Sequence, residues 1–168
     1  TDRIDIITST FGKALGGSGG GFVTGKKEII EYLRQRSRTY IFSNSLSPAI
    51  SSAALYVLEN FDKDIKKSRQ QLLENTNYFR NKMVKLGFEL AGDGKHPITP
   101  VMIYDEKKSS EMAEEIIKEG IYARSFSYPV VPKGKARIRI QISASHTKEQ
   151  IDKVCQAFEK AGKKIGII

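Results

Sequence analysis

Apolar residues recur along this chain in separate blocks, some at the helix period and some at the strand period. Ile4, Ile6 and Ile7 predict a strand over residues 4–8, and Phe22-Val23-Thr24 predicts a second, short one. Residues 26–35 place Ile29, Ile30 and Leu33 on one side of a charged helix that leads into Arg34, Arg36 and Arg38. Tyr40-Ile41-Phe42 is a brief apolar run, followed by a polar turn over residues 43–46. Ser47 and Pro48 form an N-cap and N1 pair and open a helix over residues 49–59. That helix is apolar nearly all round, so it is expected to be buried. A longer helix over residues 62–86 keeps Ile65, Leu72, Phe79, Met83 and Leu86 on one stripe and ends at Gly87.

Beyond Gly87 the period changes. Residues 88–90, 100–104, 121–126 and 137–143 read as strands, with helices over 110–119 and 147–163. Thr147 and Gln150 have capping-box spacing, and Ile151, Val154, Cys155 and Phe158 share one helix face. This half predicts a small α+β unit with helices on one side of its strands. The fold class is therefore α/β, with a boundary in the long helix that separates residues 1–62 from 63–168. Thr1-Asp2-Arg3 carries neither an initiator Met nor a signal-peptide pattern, so the chain is expected to begin inside a longer protein whose α/β domain supplied residues 1–62.

With 39% hydrophobic and 28% charged residues, composition is that of an ordinary globular chain. Charge is not ordinary: 28 Lys and Arg against 19 Asp and Glu give +9. Such a balance favours anionic partners, and nucleic acid, anionic membrane and phosphorylated small molecules all qualify. The basic runs at 34–38 and 133–139 lack interleaved aromatic platforms, which argues against nucleic acid. The expectation is a soluble cytoplasmic protein, since no apolar run reaches the roughly 18 residues of a membrane span and the single Cys155 forms no internal disulfide. One Cys and two distant histidines, His96 and His146, make no metal site. His146 is expected to order the turn before the last helix.

The candidate chemistry lies in Thr8-Ser9-Thr10-Phe11-Gly12-Lys13-Ala14-Leu15, one lysine after an apolar strand among hydroxyls and glycines. A lysine amine so placed can form a Schiff base with an aldehyde. The glycine cluster at 16–21 is no Walker loop, because Gly-Lys-Ser/Thr does not follow. Ser43 and Asn44 precede a helix N-terminus, where free N–H groups and the helix dipole suit a phosphate; an ordinary Ser-rich cap is the alternative. Arg137 and Arg139 alternate on one strand, so both face the same side. One of them could grip a carboxylate, although a solvated strand face carries the same pattern.

Those blocks, with residues 34–38, 42–48 and 128–139, resemble the α-oxoamine synthase family of fold-type I pyridoxal phosphate (PLP) enzymes. The likeness covers essentially the whole chain. It implies the end of a large PLP-binding domain in residues 1–62, and the small C-terminal α+β domain with its connecting helix in 63–168. It implies that Lys13 bonds to the cofactor and then moves the substrate α-proton, that Thr10 and Ser43, with Asn44, hold the phosphate, and that Arg137 holds the substrate carboxylate. Arg139 receives no role. Glycine and acetyl-CoA are the implied substrates, in a homodimer with shared active sites. Alanine with pimeloyl-CoA is the alternative, and a third reading is an inactive folding or dimerisation module, since the groups that face the cofactor ring lie upstream of Lys13 in that family.

Overall fold

Strand β1 (Ile6–Thr10) pairs antiparallel with β2 (Gly21–Gly25), in a register that sets Thr10 opposite Gly21. The structure is a computed structural model that describes residues 3–15 and 19–168, so Gly16, Gly17 and Ser18 of the glycine cluster lie outside the described residues. The chain divides into two compact units, Thr1–Lys66 and Lys67–Ile168.

In the first unit, β2 leads into helix α1 (Lys27–Arg36), the short helix α2 (Arg38–Ile41) and helix α3 (Pro48–Glu59). Ser47 is the N-cap of α3, but its hydroxyl accepts no hydrogen bond from the helix. The expectation that α3 is buried is not met: Ala54 is its sole buried residue, and Leu55, Tyr56 and Leu58 are 55–63% exposed. A helix apolar on every side needs neighbours on every side, and the main neighbour of α3 is the π-helical turn at Phe61–Ile65 that follows it. That turn also separates α3 from helix α4 (Lys66–Lys85), so the predicted helix over 62–86 starts as a π-turn.

The second unit holds the main core. Gly87, at φ 97°, ends α4; Phe88 N–H returns to the Met83 carbonyl and Gly87 N–H to the Val84 carbonyl, both at 3.0–3.1 Å. Strands β3 (Ile98–Tyr104), β4 (Arg124–Phe126) and β5 (Ala136–Gln141) form an antiparallel sheet in the order β3-β5-β4. Residues 88–90, expected as a strand, contribute a single bridge from Leu90 to Val101, and β4 is half the expected length. Helix α5 (Glu106–Lys118) is capped by Asp105, which accepts from Lys108 N–H at 2.8 Å. Helix α6 (Lys148–Ile165) begins with the predicted Thr147/Gln150 capping box.

Alternation along the strands decides the layers. Val101, Ile103, Ile138 and Ile140 turn inward to meet Phe79 and Met83 of α4, Met112 and Ile116 of α5, and Ile151, Cys155 and Phe158 of α6. Phe79, Met83, Met112 and Phe158 are wholly buried, each contributing roughly 2–3 kcal/mol by leaving water. The opposite alternation turns Arg137, Arg139 and Gln141 away from this core. Asp152 ties α6 to α4 by accepting from Tyr78 Oη at 2.8 Å and Lys82 Nζ at 2.5 Å.

Candidate active site

The lysine turn is built from its own first residues. Thr10 Oγ1 donates to the Gly20 carbonyl at 3.2 Å and accepts from Gly12 N–H at 3.1 Å, while Phe11 N–H also reaches the Gly20 carbonyl at 3.1 Å. Phe11 is buried and packs on Phe22, ring centroids 5.2 Å apart. The end of β1 is thus fixed by three hydrogen bonds and a ring contact. Lys13, three residues beyond Thr10, is exposed at the head of the turn and makes no ion pair or hydrogen bond among the described residues.

Gly20 connects this turn to the loop before α3. Its φ is 78°, and a Cβ added there would stand 2.3 Å from Leu46 Cδ1. Ser43 and Asn44, on the same loop, are exposed and make no hydrogen bond among the described residues. Pro48 lacks an N–H, Ser47 does not cap, and the first N–H groups of α3 receive no side-chain acceptor. The first unit therefore gathers the Thr10/Lys13 turn and the Leu46 loop around Gly20, without a direct contact between Lys13 and Ser43 or Asn44. An open cleft of about 570 Å³ lies elsewhere in this unit, lined by Ser9, Phe22, Leu33, Arg34 and Tyr40 among others, and neither Thr10 nor Lys13 lines it.

In the second unit Arg137 is half-buried on β5, opposite Met102 of β3 and Phe126 of β4. Its Nε donates to the Lys135 carbonyl at 3.0 Å, and no carboxylate pairs with it among the described residues, so the outer N–H groups of its fork stay available. His146 orders its turn as expected: Nδ1 accepts from Ser143 N–H at 3.1 Å, and its carbonyl accepts from Asn75 Nδ2 at 2.8 Å. Burial pushes the Cys155 thiol up to about 11, which suits a packing residue and not a nucleophile.

The sheet corrects one expectation. Aromatic rings do accompany the basic residues: Arg139 lies over Phe126, with Cζ 4.5 Å from the ring centroid, Lys133 over Tyr128 at 5.1 Å, and Lys135 over Tyr104 at 5.6 Å. Phe126 and Tyr104 reach these positions through strand pairing, which linear spacing does not display. Tyr104 is a further residue that sequence reasoning missed. It holds a left-handed φ of 68° at the bulged end of β3, and its hydroxyl donates to Glu89.

An aldehyde cofactor carrying a phosphate needs an accessible amine and a set of unspent donors near it. Lys13 supplies the amine; Ser43, Asn44 and the uncapped start of α3 supply unspent donors in the same unit, whereas the Thr10 hydroxyl already donates to the Gly20 carbonyl. The residues present fit such a group.

Comparison with solved structures defines the fold class. The chain superposes over 99% of its length on a structure of SPT with a PLP internal aldimine, at TM-score 0.90 and 29% identity, covering 42% of that chain. It superposes on Sphingomonas wittichii serine palmitoyltransferase at TM-score 0.88 and 26% identity, again over 99% of this chain and 42% of the other. The architecture is that of fold-type I PLP-dependent transferases. The model of the family "Aminotransferase class I and II" matches residues 1–158, and the chain belongs to that family. The 2-amino-3-ketobutyrate coenzyme A ligase of Escherichia coli is 52% identical over 166 residues, 99% of this chain and 41% of that protein. The 8-amino-7-oxononanoate synthase of Thermosipho melanesiensis is 49% identical over 169 residues, 99% of this chain and 42% of that protein. The chain spans about two fifths of the length of these relatives.

Proposed function

We propose that this chain is the lysine- and carboxylate-binding part of a PLP-dependent acyltransferase that joins glycine to acetyl-CoA, giving 2-amino-3-ketobutyrate and free CoA. In that reaction a bond forms between the glycine α-carbon and the acetyl carbonyl carbon, the thioester C–S bond breaks, and sulfur leaves with CoA. Residues 1–62 belong to the cofactor domain and 63–168 to the small domain of a cytoplasmic homodimer with shared active sites. The observation that carries the reading is the exposed Lys13, without an ion pair among the described residues, on a turn fixed by the Thr10 hydroxyl.

Lys13 Nζ holds the aldehyde carbon of the cofactor, and Thr10 Oγ1 and Ser43 Oγ, with Asn44 beside them, hold its phosphate. When bound, the cofactor supplies an electron sink for negative charge on the carbon next to the substrate nitrogen. Lys13 Nζ, once free, would take the proton from that carbon, and the same proton would balance the CoA thiolate that leaves as free CoA. Arg137 binds the substrate carboxylate through its outer N–H groups, and its Nε–H bond to the Lys135 carbonyl fixes the plane of the fork.

A second reading joins alanine to pimeloyl-CoA, supported by the 49% identity to 8-amino-7-oxononanoate synthase. A substrate panel with the full-length protein, reading CoA release, separates the two. Glycine with acetyl-CoA is expected to turn over faster; faster turnover of alanine with pimeloyl-CoA reverses the assignment. Addition of PLP is expected to give a yellow absorbance band that Lys13→Ala abolishes. A colourless full-length protein with intact folding leaves the inactive-module reading in its place.

A further inference from the structure

We propose that the cleft between the C-terminal cap of α5 and the end of β5 binds a small carboxylate with an apolar body. The sheet opens there because β4 starts late. Its register with β5, continued backwards from Arg124, would set Tyr122 opposite Gln141 and Ile121 opposite Ile142. Neither pair forms. Gly120, at φ 78°, ends α5; its N–H returns to the Ile117 carbonyl at 2.9 Å, and Ile121 N–H returns to the Ile116 carbonyl at 3.3 Å. This cap ties Ile121 to its helix instead of to β5, while Ile142 N–H turns to the Pro97 carbonyl at 3.1 Å. What stays open is a cleft of about 440 Å³, in the size range of small-molecule sites.

The lining divides by chemistry. Ile140, Ile142 and Ile151, all buried, give it an apolar floor, and Tyr122, 80% exposed, adds an aromatic wall. Donors stand around them. His146 Nδ1 accepts from Ser143 N–H, so the neutral ring carries its proton on Nε2. Gln150 spends its Oε1 on Thr147 N–H and keeps its amide N–H groups, and Lys153 Nζ has neither an ion pair nor a hydrogen bond among the described residues. No carboxylate lines the cleft. The acids next to its lining residues in the chain are engaged elsewhere: Glu119 accepts from Lys160, Asp152 from Lys82 and Tyr78, and Glu149 is held by Thr147 and its own N–H. Donors, one cation and no acid select a ligand that accepts hydrogen bonds and carries a single negative charge. The isoleucine floor selects an apolar body beside that charge. A carboxylate on an aromatic chain has both, whereas a phosphate dianion brings more charge than one lysine neutralises. None of Thr10, Lys13, Ser43, Asn44 and Arg137 lines the cleft, so the proposal does not rest on the function proposed above.

The test uses the full-length protein loaded with PLP and titrates 3-phenylpropionate by calorimetry. The parent is expected to bind this probe about tenfold more tightly than 3-phenyl-1-propanol, which keeps the apolar body and lacks the charge. Lys153→Gln is expected to remove that preference, and Val154→Trp, which fills the cleft, to remove binding of both compounds. Lys153 is exposed, so an unchanged thermal midpoint serves as its folding control; should Val154→Trp lower the midpoint, Lys153→Gln decides alone. No binding of 3-phenylpropionate by the parent, or an unchanged preference in Lys153→Gln, overturns the proposal. So does displacement of the probe by glycine, which places it at the substrate site, and so does tighter binding of phenyl phosphate than of 3-phenylpropionate. Without the probe, turnover of glycine with acetyl-CoA is expected to be equal in the parent and Lys153→Gln, and a slower variant ties Lys153 to the reaction and overturns a separate site. Absence of turnover in both counts against the proposed function, and the titration still decides the cleft.

Discussion

Tyr104 stands opposite Ala136 across the bulged end of β3, its backbone at φ 68° and its hydroxyl donating to Glu89. A left-handed backbone costs a residue with a Cβ about 1–2 kcal/mol, a cost glycine escapes. The side chain offsets part of this through Glu89, which holds the phenol above its ordinary range, and through Lys135, whose ammonium lies 5.6 Å from the ring centroid. Two substitutions separate the terms. Tyr104→Ala keeps the backbone cost and loses both contacts, whereas Tyr104→Gly loses the contacts and the cost together. The glycine variant is expected to be more stable than the alanine variant by about 1 kcal/mol, read from urea midpoints. Equal midpoints would show that φ is not the source of the cost.

Thr99 Oγ1 is fully buried in β3 and has no hydrogen-bond partner among the described residues. A buried hydroxyl without a partner costs roughly 1–3 kcal/mol, and valine has nearly the same shape without the polar atom. Thr99→Val is expected to stabilise the chain by about 1 kcal/mol. Urea denaturation checks it, and a loss of stability would mean that the hydroxyl is satisfied in solution.

How much of this was legible in the sequence depended on the distance over which each feature is written. The capping box of α6 is spelled within four positions, and Thr10 and Lys13 share one turn, so local chemistry exposed both. The exposed α3 was misread because composition tells which residues favour burial, and not what stands beside them; Leu55, Tyr56 and Leu58 are apolar without cover among the described residues of their unit. Residues 88–90 have strand composition and make ladder bonds, Met102 N–H to the Glu89 carbonyl and Ala91 N–H to the Pro100 carbonyl, yet the pairing stops there. Arg124 facing Arg139, and Leu46 against Gly20, depend on register and loop packing across 15 and 26 positions (139 − 124 and 46 − 20), which no periodicity reports.

Glu115 joins α5 to α6. It accepts from Lys118 Nζ and from Lys164 Nζ, each at 2.6 Å, and these partners, Lys118 foremost, hold its carboxyl at about 2 instead of the ordinary 4.5. The folded state therefore favours the ionised form. Its contribution to stability is fully present above pH 4.5 and is lost as the pH falls through about 2. Glu115→Gln is expected to be less stable than the parent at pH 7, with the difference shrinking between pH 4.5 and 2. Urea midpoints at four pH values across this range check it, and a difference independent of pH would assign the effect to packing. High salt should also narrow the gap at pH 7, because both lysines are exposed.

Gly20 and Gly21 hold the lysine turn in different ways, and the two alanine variants should therefore differ. At Gly20 an added Cβ meets Leu46 Cδ1 at 2.3 Å, which is the far end of a side chain that can rotate away, so the lasting cost is the left-handed φ of 78°, about 1 kcal/mol. At Gly21 the Cβ meets the Ser9 carbonyl oxygen at 2.6 Å, a backbone atom of the strand that carries Thr10 and Lys13. Relief there requires β1 to move away from β2, at a cost of about 3 kcal/mol. Gly21→Ala is expected to be the more destabilising, and in the full-length protein to weaken the Lys13-dependent absorbance band on PLP addition more than Gly20→Ala does. Adding Leu46→Ala to Gly20→Ala tests the division directly. If φ dominates, the smaller side chain restores little; full recovery would make the Leu46 contact, not the backbone, the reason that glycine stands at position 20.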